Sequence, residues 1–70
     1  MSACLVCGAD APGGPIVGIK QRHLCDEHRT AWAASGEAKR AFASASTRAA
    51  RLAFMDWLTR VRAERRNAAT

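Results

Sequence analysis

The residues of this chain best able to do chemistry are Cys4, Cys7, Cys25, His23 and His28. Cys4 and Cys7 stand two residues apart, Cys25 and His28 repeat that spacing, and residues 8 to 24 lie between the two pairs. Ligands two residues apart on a tight turn can face one ion, and a tetrahedral ion takes two such pairs. Cys4, Cys7, Cys25 and His28 therefore read as the ligands of one structural zinc ion. His23 competes for the fourth position. His28 is the better placed of the two, because positions i and i+3 at the start of a helix lie on one side. That would leave His23 as an exposed strand residue or as a donor to a ligand. Three thiolates and an imidazole close the site, whereas catalytic zinc keeps one position open for water. The competing chemistry is a redox or reactive thiol pair at Cys4 and Cys7, with Cys25 a small buried hydrophobe. That reading leaves the chain without a staple.

A staple is needed because the chain has 70 residues, one domain at most. A chain this short buries too little surface to offset its conformational entropy comfortably. Three cysteines cannot close a full disulfide framework, and no apolar leader region opens the sequence, so the thiols are expected to stay reduced. No apolar run approaches the length of a membrane span. The expectation is a cytoplasmic chain with no membrane partner.

The elements that must position the ligands follow from composition. Gly8, Pro12, Gly13, Gly14, Pro15 and Gly18 all precede Ile19, whereas residues 37 to 69 hold neither Gly nor Pro. Residues 1–36 thus read as a loop-and-strand zinc module and residues 37–70 as a basic, partly amphipathic helical segment. Gly8 closes a turn after Cys7. Ile16 to Ile19 and Arg22 to Leu24 are apolar or β-branched pieces that could pair about Lys20-Gln21. Asp26 and Glu27 suit a helix start, so a first helix is expected from Asp26 to about Ala34, stopping at Ser35-Gly36. Ser35 could cap a second helix from about Glu37 to about Asn67, roughly 45 Å if continuous.

That second helix changes its apolar side. Ala38, Ala41, Phe42, Ala45, Ala49 and Leu52 share one face, while Ala50, Phe54, Trp57, Leu58 and Val61 lie on another. Either the helix kinks or breaks between about Ser44 and Leu52, or its two halves meet different surfaces.

The order of Cys4-Leu5-Val6-Cys7-Gly8, a short hairpin, and His23-Leu24-Cys25-Asp26-Glu27-His28 opening a helix resembles a treble-clef zinc finger. The spacing is also similar to the zinc finger of the DksA/TraR class of transcription regulators. That resemblance covers about residues 4 to 34 and would imply contact with RNA polymerase. It departs from the class in placing His28 where a fourth Cys would stand and the long helix after the finger. The fold expected is a small zinc-stabilised α+β chain, a treble-clef-like finger followed by a long C-terminal helix.

Function is read from charge and exposed apolar surface. Eleven Lys and Arg against six Asp and Glu give +5, and every cation lies at or beyond Lys20. On a continuous helix Arg40, Arg48, Arg51, Arg62, Arg65 and Arg66 fall within about a third of the circumference, a candidate nucleic-acid face or a merely solvated one. Phe54, Trp57, Leu58 and Val61 are a candidate partner or homo-oligomer interface, or the chain's own core. No phosphate loop, paired-carboxylate site or nucleophile–base arrangement can be assembled, so neither an enzyme nor a small-molecule substrate is expected. The reading is a non-enzymatic accessory or regulatory module acting on nucleic acid or a nucleic-acid machine such as RNA polymerase, with protein interaction as the alternative.

Overall fold

The computed structural model describes residues 2–44 and 46–68. It is a small α+β chain: a two-stranded antiparallel hairpin, β1 (Ile16–Val17) and β2 (Lys20–Gln21), then three helices, α1 (Asp26–Ala33), α2 (Gly36–Ala43) and α3 (Thr47–Ala68).

The hairpin turns two residues earlier than its sequence suggests. Ile16 pairs with Gln21 and Val17 with Lys20, so Gly18 and Ile19 form the turn and Lys20-Gln21 belongs to the second strand. Gly18 has φ 71°, and among the described residues none other than glycine has a positive φ, the pattern of a II′ turn, whose twist suits a two-residue hairpin loop. The register continues beyond the strands, with Arg22 N–H donating to the Pro15 carbonyl at 2.8 Å and Leu24 N–H to that of Gly13 at 3.3 Å. This extension carries Cys25 into place. Gly14 permits it, since a Cβ there would stand 1.9 Å from the Arg22 carbonyl oxygen.

Asp26 and Glu27 occupy the first turn of α1, where the helix dipole favours acidic groups. Ser35 both ends α1 and starts α2. Its hydroxyl donates to the Trp32 carbonyl at 2.6 Å and accepts from Ala38 N–H at 3.0 Å. The expected long helix is broken between Ala43 and Thr47. Ser44 is extended, and Ser46 accepts from Ala49 N–H at 3.3 Å to begin α3. Serine hydroxyls compete with the helical ladder in this way. Ala45, expected on the first apolar stripe, lies outside the described residues.

The break lets α3 run back along α2. Arg60, late on α3, reaches Glu37 at the start of α2 with two bonds of 3.1 and 3.0 Å, and also holds Glu64 at 3.0 Å. The Arg60 hydrogen bonds keep the Glu37 carboxyl below its usual range. Buried Ala38, Ala41, Ala50 and Ala53 form small-residue surfaces on the two helices, which pack on each other. Trp32, Phe54 and Trp57 fill the centre, with ring centroids 5.1 to 5.6 Å apart. Residues from both sides of position 36 thus meet in one core.

This corrects the candidate interface. Phe54, Trp57 and Leu58 are at most 4% exposed, and Val61 is partly buried against them. They are the chain's own core, because the break returns their face to α1 and the hairpin. Phe42 and Leu52 of the first stripe stay outside, 70% and 51% exposed, as do Ile16, Ile19 and Met55. Among the described residues no helix is long and apolar enough to cross a membrane.

Candidate metal centre and basic surface

The first ligand pair sits on a knuckle. Gly8 N–H donates to the Cys4 carbonyl at 2.9 Å, with Gly8 at φ 78°, and Val6 N–H points at Cys4 Sγ at 3.4 Å. Cys4 N–H to the Ala9 carbonyl at 2.7 Å and Ala11 N–H to that of Ser2 at 2.9 Å close the surrounding loop. Leu5 N–H donates to the His23 carbonyl at 3.0 Å, docking the knuckle on the hairpin. The second pair comes from the end of the hairpin and the first turn of α1. Cys25 is the N-cap of α1 and His28 lies one turn in, buried.

All four ligand atoms lie within 4.8 Å of one another. Cys7 Sγ is 3.8 Å from Cys25 Sγ, and His28 Nδ1 is 3.6 Å from Cys4 Sγ and 3.2 Å from Cys25 Sγ. With bonds of about 2.3 Å to sulfur and about 2.0–2.1 Å to nitrogen, a zinc tetrahedron has S···S edges of about 3.8 Å and S···N edges of about 3.6 Å. The Cys7–Cys25 and Cys4–His28 separations match those edges, and the Cys25–His28 separation is shorter. They are far beyond the roughly 2.05 Å of a disulfide. The four side chains fit one structural metal ion, with Nδ1 as the imidazole ligand atom.

The thiols are not equivalent. Burial opposes ionisation of Cys4, but the N–H groups of Cys25, Cys7 and Val6 outweigh it and lower the thiol from 9.0 to about 6. At Cys7 the Ala9 N–H favours the thiolate, yet burial and the adjacent Cys4 and Cys25 thiols together push this thiol up. A metal ion would draw the remaining protons off, so its binding releases protons.

His23 is not part of the cluster. Its Nδ1 lies 3.1 Å from the Ala11 carbonyl, which can only accept, so this nitrogen carries the hydrogen. It ties the knuckle loop to the hairpin.

The six arginines are all exposed, but they do not form one stripe. Arg40 is on α2, beside Ala49, Leu52, Ala53 and Asp56. Arg48 and Arg51 line a cleft of about 230 Å³ with Gly18, Ile19, Lys20, Arg22 and Thr47. Arg62, Arg65 and Arg66 border a separate depression with Val6 and Thr59 near the knuckle. The helix break is the reason Arg40 is displaced. Arg62 has a structural task as well, donating Nε and Nη2 to the Leu5 carbonyl at 2.9 and 2.6 Å.

Sequence reasoning missed Lys20 and Arg22 beside Arg48 and Arg51, and it missed the Glu37–Arg60 clamp. These pairings join residues more than twenty positions apart, so no local spacing signals them. Only the basic character of each residue was visible. No protein-family model matches the chain, and neither a curated protein nor a solved structure does.

Proposed function

We propose that this chain is a zinc-stabilised, non-enzymatic binding module, of treble-clef type, that acts on nucleic acid or on a nucleic-acid machine in the cytoplasm. Zinc is the metal suited to three thiolates and an imidazole in a tetrahedron, and those four ligands leave no position for a reacting water. The observation that carries the binding reading is the gathering of Lys20, Arg22, Arg48 and Arg51 around one cleft. Among the described residues the side-chain ion pairs engage Arg29 and Arg60 instead. Cations gathered without carboxylate partners repel one another, and a polyanion relieves that repulsion.

The alternative, a protein interface through Phe54 to Val61, loses its support because that face lies in the core. The test is titration of labelled nucleic acid with the zinc-loaded protein across a salt series. Affinity should fall steeply with salt, through counterion release at each phosphate contact. If no salt-sensitive binding occurs even at low ionic strength, the nucleic-acid reading is wrong.

A further inference from the structure

The basic cleft continues into a second opening of similar size. Gly18 and Thr47 line both, and the second is walled by Ile16, Val17, Ala41 and Phe42. The contact between them is close, since a Cβ on Gly18 would lie 3.3 Å from the Thr47 carbonyl oxygen. The hairpin turn therefore rests on the start of α3, with cations on one side and an aromatic ring on the other. The chain's other three aromatic side chains, Trp32, Phe54 and Trp57, are fully buried. Phe42 is 70% exposed. A large apolar ring left in water beside unpaired cations matches the chemistry of single-stranded nucleic acid, whose unpaired bases offer π-faces and whose backbone offers phosphates. A duplex keeps its bases stacked, so the ring would gain nothing there.

We infer that the surface at the hairpin tip binds single-stranded nucleic acid, with Phe42 stacking on a base while Lys20, Arg48 and Arg51 neutralise the adjoining phosphates. This rests on the nucleic-acid reading above and narrows it to one strand state and one surface.

Fluorescence anisotropy with labelled single-stranded and duplex oligonucleotides of the same sequence tests it on the zinc-loaded chain. The single strand should bind more tightly. Phe42→Ala should weaken it by roughly 5- to 150-fold, the range that loss of one base–aromatic stack gives, with an unchanged salt slope. Phe42→Trp should restore binding. Arg48→Gln with Arg51→Gln should instead flatten the slope by about 0.7 for each lost contact on a single strand. Zinc content and circular dichroism should match the parent in every variant, since these side chains are exposed. Preference for the duplex, or indifference to Phe42→Ala, overturns the inference while leaving the nucleic-acid reading standing. Absence of salt-sensitive binding to either form removes both. If Phe42→Ala changes only self-association, the surface is a protein contact and the inference fails.

Discussion

Cys25 occupies the N-cap of α1 yet makes no side-chain cap bond, because its sulfur faces Cys7 and His28. A residue that forgoes the usual cap role at a helix start has its side chain free for metal ligation. Replacing His28 by Ala should weaken zinc more than the roughly 10–100-fold that loss of an outer-shell partner costs, whereas His28→Cys should keep one zinc per chain. His23→Ala should keep the zinc and cost about 1 kcal/mol through the lost bond to Ala11. Competition with a chromophoric chelator separates these outcomes, and the reverse order would make His23 the ligand. Acid acts on the same atoms. The Cys4 thiol in the fold, at about 6, lies below the 9.0 of an unperturbed thiol, so its contribution to the metal-free fold is largest above about pH 9 and is gone once pH falls through about 6. The Cys7 shift has the opposite sign and favours the fold below its unfolded value. Bound metal competes with protons for both, so zinc should be retained at neutral pH and released on acidification. Release already under way at pH 8 would contradict that order.

At the scale of elements, two glycines give opposite expectations. Gly14 has a backbone oxygen where its Cβ would stand, so Gly14→Ala must open the hairpin and should cost at least the ~1–3 kcal/mol of an overpacked site. Gly36 begins α2 with nothing within 4 Å of that position, so Gly36→Ala should stabilise by about 0.4–1 kcal/mol. For a chain of this size about 1 kcal/mol moves the melting temperature by roughly 4–8 °C, so calorimetry resolves both signs. Equal effects from the two changes would refute the steric account of Gly14. The ligand spacing, the start of α1 and the double role of Ser35 were legible in sequence because each is set within a few residues. The change of apolar side between about Ser44 and Leu52 made a break one of two readings, and Ser44 and Ser46 supply the chemistry of the one that forms. Gly18 stands inside an apolar run that reads as strand, but its positive φ makes it the turn, which shifts the hairpin from Lys20-Gln21 to Gly18-Ile19. The Glu37–Arg60 and Arg62–Leu5 contacts had no local signature, since they arise only after α3 has folded back.

Across the whole molecule, metal and aromatic core are linked through α1. Cys25 and His28 open that helix, and Trp32, one turn further on, enters the cluster with Phe54 and Trp57. The knuckle is tied to the rest by the metal ligands, the Leu5–His23 backbone bond, the Arg62 side chain and His23. Much of the remaining core is alanine, which buries little apolar surface per residue. Native domains keep only about 0.05–0.15 kcal/mol per residue, or about 4–10 kcal/mol for a chain of 70 residues, a margin no larger than the ~10–16 kcal/mol with which zinc-finger peptides hold their ion. Chelation should therefore do more than loosen the knuckle. Loss of zinc leaves the Cys4, Cys7, Cys25 and His28 side chains clustered without the ion that offsets their desolvation, and the start of α1 loses its anchor. The expected result is one zinc per chain as isolated, and on its removal loss of the near-ultraviolet signal from Trp32 and Trp57, with weaker helical circular dichroism. Zinc added back at neutral pH should restore both and release protons. A zinc-free chain that keeps its near-ultraviolet spectrum would show that Trp32, Phe54 and Trp57 hold the helices together without the metal.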